Sequence, residues 1–155
     1  MQEVGIIIKS AREIAVMREA GRIVAAVIEA LTKEVRPGVT TAELEVIAGR
    51  EFKRRGAIAS FKGYRGFPAS ICTSVNEEVV HGIPGKRVLN KGDIISLDVG
   101  AMLNGFHADA AVTLAVGMIS PEAQKLIETT SDSLKAGIAA AKGGVRLGDV
   151  SVAIQ

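Results

Sequence analysis

Asn104-Gly105 lies between two runs of apolar and β-prone residues, and no other stretch restricts the fold of this chain as tightly. Both residues tolerate the left-handed backbone that a two-residue hairpin turn requires. Ile94 to Ala101 therefore reads as one strand and Phe106 to Val116 as its antiparallel return, with Leu103 facing Phe106. In that register Asp98 faces Ala111 and Asp109 faces Gly100. Strand alternation puts Asp98, Gly100, Asp109, Ala111 and Thr113 on one side of the hairpin, and Leu97, Val99, Ala101, Ala108, Ala110 and Val112 on the other.

The two carboxylates are thus diagonal neighbours, with Cα atoms about 7–8 Å apart. Small partners, Gly100 and Ala111, are expected to leave space above them. Two readings follow. The face is either a solvated polar side of a hairpin whose other side supplies the core, or a seat for hard divalent cations, which relieve the repulsion that otherwise raises a carboxylate's proton affinity. A pair of ions about 3.5–4 Å apart would fit such a spacing.

Helices precede the hairpin. Ser10-Ala-Arg-Glu13 reads as a capping box, and Ile14, Met17, Gly21, Val24, Val27, Ile28, Leu31 and Val35 form one stripe that Pro37-Gly38 stops. Thr40-Thr-Ala-Glu43 opens a second helix, with Leu44, Ile47, Ala48 and Phe52 inward and Gly56 as its stop. Between the helices and the hairpin come a Gly-rich loop and short strands at Ser70 to Val75 and at Val79-Val80. After the hairpin, Ser120-Pro121-Glu122 starts a third helix running to about Lys142. The fold class is α+β with an antiparallel sheet. The order of capped helix, Gly-containing turn and second helix occurs twice, around Pro37 and around Gly143. It reads either as duplication, with residues 1–118 the first copy and 119–155 the interrupted start of a second, or as two unrelated helix pairs.

Composition excludes several classes. With 19 basic against 17 acidic residues there is no electrostatic basis for a nucleic-acid or anionic-membrane binder. One Cys rules out an intrachain disulfide framework and suits a reducing compartment. No secretory signal is visible. The run Val4-Gly-Ile-Ile-Ile8 stops at Lys9, far short of the roughly 18 residues of a membrane span.

Two histidines and a cluster of rings remain. His107 lies on the carboxylate face beside the turn, as a rim residue. His81 occupies the corner before Gly82-Ile-Pro84, where it is either structural or aimed at a reacting group. Phe61, Tyr64 and Phe67 sit in a glycine-hinged loop that is either core or, with Cys72, the wall of a pocket for an aliphatic or thioether side chain.

Gly63-Tyr-Arg-Gly-Phe-Pro68, Ser70-Ile-Cys-Thr-Ser-Val-Asn-Glu-Glu-Val-Val-His-Gly-Ile-Pro84, Gly92-Asp-Ile-Ile-Ser-Leu-Asp-Val-Gly100 and Gly105-Phe-His-Ala-Asp-Ala-Ala-Val-Thr113 together resemble the type I methionine aminopeptidases of the pita-bread metallopeptidase family M24. The carboxylate spacing alone also suits Xaa-Pro peptidases of that superfamily. The Val75-to-Pro84 run is more specific. The resemblance implies the pita-bread fold, present as a first helix–helix–sheet half plus the opening helices of a second. It implies two divalent ions, of Co, Mn, Fe or Zn, held by Asp98 and Asp109 with Asp109 bridging. It implies His81 at the scissile amide and Tyr64, Phe67 and Cys72 around a methionine side chain. The implied reaction removes the first Met from nascent chains when the next residue is small, in the cytoplasm, with the ribosome as a further partner and no direct nucleic-acid or membrane binding.

Two departures stand out. Ala108 replaces a usual Gly. The family's further metal-binding His, second substrate His and two metal-binding Glu belong to a second half that these 155 residues do not include. The chain is therefore expected to be an N-terminal portion, with a weak open metal site and a tendency to self-associate. A peptide-binding or scaffold homodimer without catalysis, and an Xaa-Pro peptidase, are the alternatives.

Overall fold

The computed structural model describes residues 7–155, so the Val4-to-Ile8 run lies largely outside the described residues. The chain divides into two compact units, Met1–Gly117 and Met118–Gln155.

In the first unit, helix α1 (Ala11–Thr32) starts with the expected cap. The Ser10 hydroxyl accepts from Glu13 N at 3.3 Å, and Ser10 N donates to the Glu13 carboxylate at 2.7 Å. Helix α2 (Thr41–Arg54) repeats the device with Thr40 and Glu43, at 3.2 and 2.7 Å. Along α1 the buried stripe is Ala20, Ile23, Val24, Val27 and Leu31. Ile14 and Met17, expected on it, are 45% and 37% exposed, because periodicity names a face without saying how far along the helix a neighbour extends. α1 also stops short of Val35. Glu34 N and Val35 N both donate to Leu31 O, closing the turn ahead of Pro37, whose ring disfavours helix at the residue before it.

The sheet contains β1 (Ile58–Ala59), β2 (Ile71–Val75), β3 (Ile94–Leu103) and β4 (Phe106–Ala115), all antiparallel to β3. β4 pairs along the whole of β3, and β1 and β2 share its other edge end to end. The outer edge of β4 has no strand partner among the described residues. No strand forms at Val79-Val80, which are exposed. The Glu78 carboxylate accepts from Val75 N at 2.7 Å and turns the chain there, so it rejoins β2 only at Gly82.

Ile95, Leu97, Val99 and Ala101 are fully buried on one face of β3, in a core shared with Leu31, Leu44, Phe52 and Ile71. On β4, Ala108, Val112 and Leu114 pack against this core, whereas Ala110 is exposed, contrary to expectation. Thr73 pairs with Leu97, and its buried hydroxyl has no hydrogen-bond partner. Valine has nearly its shape without the stranded polar atom. Thr73→Val is therefore expected to raise the urea midpoint by the equivalent of about 1 kcal/mol at unchanged slope; a lowered midpoint would count against an unsatisfied hydroxyl.

The second unit is a helix pair, α3 (Pro121–Ala140) and α4 (Leu147–Ile154). Ser120 caps α3 by accepting from Ala123 N at 3.2 Å, with Pro121 at the first helical position. The two helices meet closely at Gly137, where a Cβ would lie 2.7 Å from Ile154 Cγ1. Arg146 N donates to the Asp149 carboxylate at 2.8 Å, the arrangement Thr40 and Glu43 adopt at the start of α2.

Candidate metal centre

The hairpin turn has left-handed residues at both central positions, Asn104 at φ 49° and Gly105 at φ 82°, which matches the right-handed twist of the strands it joins. It sets Asp98 opposite Ala111 and Asp109 opposite Gly100, in the register expected from sequence. β2 adds Cys72 directly opposite Asp98 on the other edge of β3. Asp98 is therefore flanked by a thiol and a methyl, with Asp109 at its diagonal.

Asp98 is half-buried and Asp109 exposed. Asp98 Oδ1 is buried and has no hydrogen-bond partner. Burial first, and then the charge of Asp109, push the Asp98 carboxyl above the usual carboxylate range. His81 opposes the rise. Two acids at diagonal positions, one with a buried oxygen that has no hydrogen-bond partner, form an acceptor set suited to a hard cation. The residues present fit part of a metal site: among those described, no group of three or more His, Cys, Asp or Glu is placed to hold an ion.

Cys72 is buried, and its thiol is pushed up to about 11, by burial first and then by Asp98 and Asp109. At pH 8 its thiolate fraction should be about 100-fold below that of an ordinary cysteine, so iodoacetamide should label it correspondingly slowly in the native protein. Asp98→Asn should speed that labelling. Native labelling at the rate of a free thiol would contradict the placement.

His81 is exposed and takes a left-handed backbone, φ 60°. Its neighbour Gly82 fastens it to β2: Gly82 N donates to the buried Ser74 hydroxyl at 3.0 Å and Thr73 N donates to Gly82 O at 2.8 Å. The approach is so close that a Cβ on Gly82 would overlap the Thr73 carbonyl oxygen and sit 2.9 Å from Ser74 Cα.

The aromatic loop turns at Gly63 and Gly66, both at positive φ. Phe61 and Phe67 meet edge to face, centroids 6.5 Å apart. The space expected above Gly100 is not open, since a Cβ there would come within 2.7 Å of Phe61 Cε1. A glycine inside a strand signals such an approach, without naming the residue that makes it. Tyr64 stands apart, 64% exposed, with the Arg65 guanidinium 5.4 Å from its ring centroid. His107 is a rim residue, its Nδ1 2.9 Å from Ser60 Oγ. The fold thus gathers Asp98, Asp109 and Cys72 on one face, with His81 in electrostatic reach of Asp98 and the Phe67–Phe61 pair against Gly100.

A family model described as Metallopeptidase family M24 matches residues 15–155. Methionine aminopeptidase 1 of Bacillus subtilis is 59% identical over 150 residues, covering 97% of this chain and 60% of its own. Methionine aminopeptidase of Clostridium acetobutylicum is 57% identical over 151 residues, with the same coverage. The crystal structure of methionine aminopeptidase from Rickettsia prowazekii superposes with a TM-score of 0.95 at 36% identity, over 97% of this chain and 61% of that one. A prolidase from Pyrococcus furiosus superposes at 0.84 with 22% identity, a likeness of fold alone, over 96% of this chain and 42% of that one. The chain spans about 60% of the length of the curated relatives it matches. Its architecture is part of the pita-bread α+β fold.

Proposed function

This chain belongs to metallopeptidase family M24, and from that premise we propose that it is the part of a methionine aminopeptidase that carries two metal-binding carboxylates and the first substrate-binding elements. The observation that carries this reading is the Asp98–Asp109 pair, with its orphaned buried oxygen, on the face that also holds Cys72. Asp98 and Asp109 would hold two divalent ions, of Co, Mn, Fe or Zn. Such ions, when bound, acidify water and polarise the scissile carbonyl. The remaining ligands would come from the portion of the relatives' length that this chain does not span.

His81, fixed at its corner by Gly82, would hydrogen-bond the substrate beside the scissile amide. Cys72 and Phe67 would enclose the methionine side chain, thiol and ring both favouring a thioether, with Tyr64 closing the pocket's outer side. The substrates would be nascent chains whose second residue is small, met in the cytoplasm and near the ribosome. Residues 119–155 would open a second copy of the first unit's helix–helix arrangement, as the shared cap of Arg146-Asp149 and Thr40-Glu43 supports. Among the described residues no helix is long and apolar enough to cross a membrane.

The test is release of free Met from a Met-Ala-Ser peptide by the full-length gene product with Mn²⁺, beside an Ala-Pro peptide under the same conditions. Met release abolished by Asp98→Asn is expected. Cleavage of the Ala-Pro peptide alone would move the reading to an Xaa-Pro peptidase, and binding of the Met peptide without cleavage would move it to a peptide-binding module.

A further inference from the structure

His81 belongs to a strap, residues 76–93, that leaves β2 and returns as β3. Its base is closed by Glu78, which accepts from Val75 N and pairs with Arg87 at 3.2 Å. Its tip is pinned to β2 through Gly82. A further anchor lies on α2. Thr41, 2% exposed, uses one hydroxyl twice on the same residue: it accepts from Gly85 N at 2.9 Å and donates to Gly85 O at 3.1 Å. Ala42 N also donates to Gly85 O, and Thr41 N donates to Arg87 O.

One helical turn on, Glu45 ties α2 to the strand that faces Asp98. Its carboxylate accepts from Ser70 N at 2.8 and 3.0 Å and from Ile71 N at 3.3 Å. Thr41 and Glu45 are four residues apart and share a helix face. The helix therefore links the His81 strap and β2 through two side chains.

We propose that Thr41 is a positioning residue for His81: its hydroxyl locks Gly85 to α2 while Glu45 locks α2 to β2, so the imidazole is held at a fixed place relative to Asp98. The proposal rests on the functional reading only in taking His81 as the group that meets substrate. Gly85 N–H has no other acceptor than the Thr41 hydroxyl among the hydrogen bonds of the described residues.

In a proton–carbon NMR spectrum of the full-length product, the imidazole Cε1–H signals of His81, on the strap, and His107, on the β4 rim, are identified by their loss in His81→Gln and His107→Gln. Thr41→Val is expected to shift or broaden the His81 signal, leave that of His107 in place, and speed exchange of the Gly85 amide by at least about 10-fold. Thr41→Ser should restore the His81 signal and the Gly85 exchange rate. An unmoved His81 signal, or equal disturbance of both rings, would overturn the proposal. Should Thr41→Val not fold, the unaltered protein decides: the Gly85 amide must be protected like a core amide, and free exchange there overturns the proposal. Absence of Met release by the native full-length product would instead sink the functional reading, and the ring signals would still judge Thr41.

Discussion

Gly82→Ala is expected to destabilise the first unit by at least about 3 kcal/mol, an overpacking penalty at the upper end because the clash is with backbone. The added methyl would overlap the Thr73 carbonyl oxygen and crowd Thr73 C at 2.8 Å and Ser74 Cα at 2.9 Å. No rotamer relieves this. Either β2 shifts, dragging Cys72 from its place opposite Asp98, or the strap lifts and takes His81 with it. Gly85→Ala is the internal control, since the nearest atom to its Cβ would be Ile83 O at 3.9 Å. It should lie within about 0.5 kcal/mol of native, with the smaller entropy of the unfolded alanine chain in its favour. Urea unfolding of the three proteins checks the ranking, and a Gly82→Ala protein within 1 kcal/mol of native would show that the strap is not fastened to β2 as described.

How much of this was legible in the sequence follows from the range of the forces involved. Local devices were: the Ser10-Glu13 and Thr40-Glu43 caps and the Asn104-Gly105 turn act over four residues or fewer, and the turn's register then carries Asp98 and Asp109 onto one face with no further information needed. Contacts distant in sequence were not. Nothing local says that Phe61 will cover Gly100, that Thr41 will bind Gly85 or that Glu45 will gather the amides of Ser70 and Ile71. Val79-Val80 shows the opposite failure. Two β-branched residues read as a strand, yet the Glu78 carboxylate takes the Val75 amide and turns the chain first. The family resemblance only implies roles for His81 and Cys72, while the structure shows what places them: a glycine that admits no side chain beside His81, and for Cys72 a register position opposite Asp98.

Asp98→Asn should stabilise the protein in EDTA at pH 7 and destabilise it relative to native once a divalent ion is added, an inversion that a purely structural polar face would not show. The first half follows from linkage. The folded state raises the Asp98 carboxyl above its ordinary range, through burial and then Asp109, so it holds that proton more tightly than the unfolded chain does. Stability from this group is therefore full below the ordinary carboxylate range and is lost as pH rises through the raised value. Asparagine keeps the shape, never ionises, and can donate its amide to Asp109. The advantage of the variant should vanish near pH 3, where Asp98 is protonated folded or unfolded. The second half follows from mass action. An ion held by the two carboxylates would relieve their repulsion, and at 100 times its dissociation constant it would add about 2.7 kcal/mol to native stability. The variant, with one anionic ligand gone, should gain only a small part of this. Thermal unfolding in EDTA and in Mn²⁺, at pH 3 and pH 7, gives the four comparisons needed. Equal stabilisation of both proteins by Mn²⁺ would place the ion elsewhere, and a variant weaker than native in EDTA at pH 7 would mean that the two carboxylates are not in conflict.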